Sequence, residues 1–229
     1  MTGKRHRFLA QYEVGFADNG RLLGLEVELN ADGGSSTDLT MAVLERAMMH
    51  SDSSYFMPDI TIVGHAWKLN LPSNTAFRGF GGPQGMAVME NIIDRIARQL
   101  QIDPDTVRLR NYYGLQDRNV TPYGQVIENN RLYMIREQLL ASADYERRRQ
   151  TVHAWNAQHE FQKKGIALTP VKFGISFTTA FLNQAGALVN IYKDGTVLVN
   201  HGGTEMGQGL HTKIRQIAAL ELGVSLARV

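Results

Sequence analysis

Between residues 8 and 30 apolar and polar positions alternate, with Leu25, Val27 and Leu29 facing one way and Glu26 and Glu28 the other. A period of two marks a strand with one wet face. Asp18-Asn19-Gly20 supplies the positive-φ turn that folds two such strands into a hairpin. The period then lengthens: Leu39, Val43 and Ala47, or Met41, Leu44 and Met48, recur every three or four residues and predict a helix. Thr37 or Asp38 is placed to cap it, and Arg46 and His50, four apart, share one of its faces.

Residues 59–71 read as a further strand, and 72–82 as a glycine-rich loop bearing aromatics. Pro83 suits the first turn of the next helix, on which Met86, Met89, Ile93, Ile96 and Leu100 form the apolar stripe. Asp103-Pro104-Asp105 opens a short helix by the same logic of cap followed by proline, and 111–130 is irregular. Residues 132–163 read as helical and heavily charged, with Glu146-Arg147-Arg148-Arg149 as a solvated face. Strands are expected at 167–177, 185–192 and 196–200, the last two joined by the turn Lys193-Asp194-Gly195. A glycine-rich loop, 201–209, then opens a final helix, and the whole predicts an α+β fold of mixed strands and helices.

Composition narrows the function more than the fold. With 43% hydrophobic residues among 229, the chain can bury a sizeable core. Its 24 basic and 22 acidic residues are spread along the chain and leave a net charge of +2, so there is no basic stripe to track nucleic-acid phosphates. Cysteine is absent, which removes disulfides, thiolate nucleophiles and cysteine-ligated iron–sulfur or zinc centres from this chain. Apolar stretches are broken by charge well before the roughly 20 residues that span a bilayer. Met1-Thr2-Gly3-Lys4-Arg5-His6-Arg7 leads into no apolar leader segment. The expectation is a cytoplasmic protein without a membrane partner.

Two loops carry candidate chemistry. Glycines let a backbone approach a ligand and expose successive N–H groups, and a helix start adds a field that favours anions. The loop Thr75-Ala76-Phe77-Arg78-Gly79-Phe80-Gly81-Gly82-Pro83-Gln84 combines this with two aromatics and an arginine. The loop at 201–209 combines it with Thr204, Glu205, Met206 and Gln208. Neither has the spacing of a Walker loop or a dinucleotide fingerprint. Each also reads as a tight turn feeding a helix, so the residues alone yield two candidate cofactor cradles and no reaction.

Three long motifs go further: the 75–84 loop, Lys172-Phe173-Gly174-Ile175-Ser176-Phe177-Thr178, and His201-Gly202-Gly203-Thr204-Glu205-Met206-Gly207-Gln208-Gly209-Leu210-His211. In this order they resemble signatures of the large, molybdenum-binding subunit of the xanthine dehydrogenase family of molybdenum hydroxylases. Intervening segments such as Phe181-Leu182-Asn183-Gln184 are similar to the family too. The resemblance implies hydroxylation of hypoxanthine and xanthine to urate at a molybdenum–molybdopterin centre, with oxygen from water. Electrons would leave through iron–sulfur clusters and FAD carried by other segments or subunits.

The same resemblance assigns residues. Arg46 matches the arginine facing the purine, where a cation can stabilise charge developing on the ring. Phe80 and Phe177 match the phenylalanines that hold the flat purine by face and edge. Thr178 follows as a hydrogen-bond partner, Leu39 and Leu182 as channel-lining residues, and His50 as support behind Arg46. Ala76, Phe77 and Arg78 would run past the cofactor, with molybdenum near the backbone of Phe77 and Arg78 and no side-chain metal ligand. Met206, Gly207 and Gln208 would approach the pterin and its phosphate.

The family's molybdenum-binding region is several times longer, and its general-base glutamate falls outside the matched motifs, so neither Glu205 nor Glu221 takes that role. The resemblance therefore implies an internal part of the enzyme, inactive alone. Residues 1–118 would belong to a first molybdopterin-binding domain, 119–140 to a connection and 141–229 to a second domain. Two alternatives stay open: an aldehyde-oxidase-type hydroxylase, and a non-catalytic remnant that binds a ligand or partner.

Overall fold

The structure is a computed structural model that describes residues 3–229; Met1 and Thr2, the start of the stretch read for a leader, lie outside it. Contacts divide the chain into two compact units, one running through Ile175 and the other Ser176–Val229.

In the first unit β1 (Phe8–Phe16) and β2 (Leu22–Gly34) form the expected antiparallel hairpin, with a bulge at Gly15/Phe16. Through α1 (Thr40–Met49) the chain returns to β3 (Ile60–Lys68), which lies parallel to β2, giving the order β1-β2-β3. Leu25, Val27, Leu29 and Ala31 are buried as the alternation predicts. Against them pack Leu44 and Ala47 of α1 and Met89, Ile92, Ile93, Ile96 and Ala97 of α2 (Gly82–Leu100). Each fully buried aliphatic side chain contributes about 1.5–3 kcal/mol, so this layer dominates the stability of the unit.

Two glycines set how closely α1 and α2 cross. A Cβ at Gly81 would fall on the Val43 carbonyl, and one at Gly85 on the Ala47 carbonyl. Gly81 also has φ 100°, a conformation open to glycine and strained for other residues. The two helices therefore meet backbone to backbone, and the first glycine-rich loop is drawn down onto α1.

Helix α3 (Pro104–Asn111) starts as expected, with the Asp103 carboxylate accepting the Asp105 N–H at 2.7 Å. Its end is tied to the hairpin by Asn111, fully buried, which accepts from Leu22 N at 2.9 Å and donates to Gly20 O at 2.8 Å. Arg108 joins it to α2, donating to Glu90 and Asp94 at 2.8 Å each.

Several local expectations fail for identifiable reasons. Neither Thr37 nor Asp38 caps α1 with its side chain; Asp38 sits at φ 41° and the helix begins at Thr40 after Leu39. The helical stretch at 132–163 breaks at Asp144, φ 47°, into α4 (Leu132–Ser142) and α5 (Tyr145–Gln158). Arg149 of α5 is not simply solvated, because it ion-pairs with Asp103. Residues 167–177 form no strand: the N–H and C=O of Gly174 bond to the side chains of His50 and Arg46 instead of to a neighbouring ladder.

The second unit contains β4 (Ala187–Ile191) paired antiparallel with β5 (Val197–His201) around the predicted turn, then α6 (Leu210–Leu222). Leu188, Ile191, Ile217 and Leu220 are exposed on these elements. Helices and strands are thus mixed throughout, as the α+β expectation holds.

Candidate functional site

Arg46 lies in the last turn of α1 and is 5% exposed. Its guanidinium carbon stands 5.9 Å from the Phe80 ring centre and 5.4 Å from that of Phe173, and its Nη1 donates to the Gly174 carbonyl. Burial lowers its pKa from the usual arginine value, but a guanidinium remains charged at any ordinary pH. A permanent cation is thus held beside two aromatic faces, an arrangement suited to a flat, electron-rich or anionic ring.

One turn later, the His50 ring N–H at Nδ1 donates to Arg46 O at 2.8 Å, and Nε2 accepts the Gly174 N–H at 3.1 Å. Both nitrogens are used, which fixes the neutral Nδ1–H tautomer because a carbonyl only accepts. Burial, followed by the cations Arg46 and Lys172, pushes the His50 pKa down against the opposing effects of the Arg46 carbonyl and Asp52. Phe173 packs on this ring with centroids 5.1 Å apart.

Behind them Asp52, 1% exposed, accepts from Lys172 Nζ and from the Tyr113 hydroxyl. Burial raises the Asp52 pKa, and Lys172 and Tyr113 oppose it. Burial and then Asp52 push the Tyr113 hydroxyl well up. This network pins residue 172 and so the start of the segment that touches Arg46.

In the first loop Gly79, Phe80 and Gly81 all have positive φ, which turns the chain into α2 and brings the Phe80 ring beside Arg46. Ala76 is half-buried and Phe77 exposed; Arg5 lies 4.3 Å over the Phe77 ring and donates to Arg78 O at 2.7 Å. Leu39, expected to line a channel, is the residue before α1 and is partly exposed.

The remaining assigned residues lie in the second unit. Asn183 closes a turn there, accepting the Phe177 N–H at 2.7 Å and donating to Phe177 O at 2.9 Å. Thr178 Oγ1 is buried with no hydrogen-bond partner among the described residues. Leu182 is exposed on a short 3-10 turn. At 201–209 the Glu205 carboxylate accepts the N–H groups of Gly207 at 2.7 Å, Gly209 at 3.1 Å and His211 at 3.4 Å. Desolvation opposes ionisation, but these bonds outweigh it and hold the carboxyl down to about 2. So weak a base is unsuited to general-base work near neutral pH. Met206 N donates to Gln208 Oε1 at 2.6 Å, so the loop orders itself from within.

In one respect the residues present fit an outside ligand: the orphaned Thr178 hydroxyl is suited to a polar ligand atom. The reading of single residues overlooked Asp52, Lys172 and Phe173: the first belongs to no motif, and the other two stood inside one without an assigned role.

Two models described as molybdopterin cofactor-binding domain match residues 1–112 and 138–229. Xanthine dehydrogenase 1 of Arabidopsis thaliana is 48% identical over all 229 residues, and xanthine dehydrogenase/oxidase of Gallus gallus 46%. The chain spans 17% of the length of each of these relatives. Among solved structures, quinoline 2-oxidoreductase from Pseudomonas putida 86 superposes with a TM-score of 0.74 at 26% identity, covering 98% of this chain and 30% of that one. Aldehyde oxidoreductase from Desulfovibrio gigas shares the fold, with a TM-score of 0.73 at 23% identity over 99% of this chain and 24% of its own.

Proposed function

Because the chain belongs to the molybdopterin cofactor-binding domain family, with two such domains matched, we propose that it supplies purine-facing walls of a xanthine-hydroxylating site. When bound, the molybdenum–pterin group would supply the redox chemistry that adds water-derived oxygen to the purine. Ala76, Phe77 and Arg78 on one loop and Met206, Gly207 and Gln208 on the other would hold it, with molybdenum near the backbone of Phe77 and Arg78. Phe80 and Phe177 would grip the purine, Thr178 would hydrogen-bond to it, and Leu39 and Leu182 would line its approach.

The observation that carries this reading is the buried Arg46 cation beside the Phe80 ring. Negative charge builds on a purine during attack at carbon, and a fixed cation in a low-dielectric site stabilises that charge more than the neutral ring. An aldehyde develops no charge on a heterocycle, which is why Arg46 favours the purine reading over aldehyde oxidation.

The iron–sulfur clusters and FAD are proposed to lie on other segments or subunits, in keeping with the absence of cysteine here. Those segments are also proposed to cover exposed apolar residues such as Ile217 and Leu220. The two cofactor-binding domains would meet at the 119–140 connection, the assembled enzyme would be cytoplasmic, and the 229-residue chain alone would form no urate. Among the described residues, no helix is long and apolar enough to cross a membrane. Anaerobic reduction of the complete, molybdenum-replete enzyme by xanthine and by a simple aromatic aldehyde tests the reading. Fast reduction by xanthine and slow reduction by the aldehyde is expected; the reverse order would favour the aldehyde-oxidising alternative.

A further inference from the structure

We propose that His50 is a positioning residue for Arg46, acting through the main chain of Gly174. The inference rests on the purine-facing reading of Arg46, but its geometry stands independently of that reading.

Arg46 is a long side chain with many rotamers, and its orientation is set by what its donors find. Here Nη1 finds the Gly174 carbonyl. A carbonyl can anchor a guanidinium only if the main chain that carries it is held, and residues 167–177 have no strand partner to hold it. His50 takes that part: Nε2 accepts the Gly174 N–H at 3.1 Å, while Nδ1–H donates to Arg46 O at 2.8 Å. Arg46 in the last turn of α1 and His50 just after it thus hold both main-chain polar groups of one residue, Gly174, the N–H through His50 and the C=O through Arg46, and so fix the two peptide planes that meet at its Cα. Phe173, the residue before it, closes the assembly with its ring 5.1 Å from that of His50 and 5.4 Å from the Arg46 guanidinium carbon.

The arrangement works only with a neutral ring. An imidazolium would turn Nε2 into a donor facing the Gly174 N–H, and Gly174 would keep only its contact with Arg46. The charged groups facing His50 are Arg46 of its own helix, Lys172 of the opposing segment, and Asp52. Two of the three are cations, so the surroundings oppose protonation, as burial also does.

The role separates two amide substitutions that are otherwise alike. Glutamine can place its oxygen close to where Nε2 stands and accept the Gly174 N–H, whereas asparagine reaches the Arg46 carbonyl but not Gly174. The first measurement uses the full chain labelled with 15N-arginine, with the Arg46 Nε–H signal assigned by its loss in Arg46→Met. A dispersed, slowly exchanging signal is expected in the parent and in His50→Gln, and a shifted, faster-exchanging one in His50→Asn. An unchanged signal in His50→Asn would overturn the proposal, whatever the role of Arg46 in catalysis.

The second measurement is steady-state kinetics of the complete enzyme with the same substitutions. His50→Asn should lower kcat/KM for xanthine about two- to tenfold, the scale of one lost neutral hydrogen bond. His50→Gln should recover most of this. In an Arg46→Met background His50→Asn should add nothing, because there is no guanidinium left to position. Multiplying losses in the double variant would overturn the proposal by showing that His50 acts by another route. If Arg46→Met alone leaves xanthine turnover intact, the catalytic reading of Arg46 fails, and the arginine signal still decides whether His50 positions it.

Discussion

Arg46 and Gly174, 128 positions apart in the chain, are joined by a hydrogen bond from the guanidinium Nη1 to the peptide carbonyl. This contact makes the segment at 172–175 part of the Arg46 environment, and Phe173 joins Phe80 beside the cation. The loop, the helix and the extended segment therefore depend on one another, and the consequences can be measured separately.

Lys172 is the cation paired with Asp52, which is almost fully buried, and it opposes the upward push of burial on the Asp52 pKa. Lys172→Met would strand that carboxylate and should destabilise the full chain by about 3 kcal/mol, as removal of one partner of a buried pair does. Burial already raises the folded pKa of Asp52 above its ordinary 3.8. A raised carboxyl pKa means stability is fully present below the unfolded value and lost as pH rises through the folded one. Urea midpoints of Lys172→Met should therefore recover in mild acid relative to neutral pH. A deficit independent of pH would show that the pairing with Asp52 is not its source.

Glu205 orders the second glycine-rich loop by accepting the N–H groups of Gly207 and Gly209. Its folded pKa, about 2, lies below the ordinary 4.5, so this stabilisation is present above the unfolded value and lost as pH falls from 4.5 towards about 2. Amide exchange protection at Gly207 and Gly209 should be kept in mild acid and fall within that window. In Glu205→Ala it should be lost at every pH. Protection that survives the alanine substitution would mean the loop is ordered by something else.

For Phe80 and Phe177 the purine-gripping role predicts a loss of substrate affinity without loss of cofactor. Alanine at either position should weaken purine binding in the complete enzyme by roughly 0.5–1.5 kcal/mol beyond simple burial. Binding of a non-reducing purine analogue, measured beside molybdenum content, separates this from a packing role. A fall in molybdenum content with unchanged purine affinity would assign the rings to structure.

How much could be read from the sequence differs from element to element. The hairpin and α2 were legible because Leu25, Val27 and Leu29, and Met89, Ile93 and Ile96, each bury one face of a regular element, which leaves a strict period. The segment at 167–177 has the composition of a strand but no partner strand; side chains from α1 bind its peptide groups, and no local pattern encodes that. The break at Asp144 is a single left-handed residue without a glycine or proline to announce it. In the site, the glycine-rich loops were visible as loops, while a role for Arg46 could be read only from the resemblance of its flanking motif. Asp52 was not legible, because a lone carboxylate after a helix is ordinarily a surface residue until its burial against Lys172 and Tyr113 is seen.

The central claim is that the buried Arg46 cation serves a purine during attack, and Arg46→Met in the molybdenum-replete complete enzyme tests it most directly. Loss of a charge that acts mainly in the transition state costs on the order of 10²-fold in rate. Steady-state kinetics should show a fall of that order in kcat/KM for xanthine, with turnover of a simple aromatic aldehyde little affected. Unchanged xanthine turnover, or equal losses with both substrates, would contradict the account.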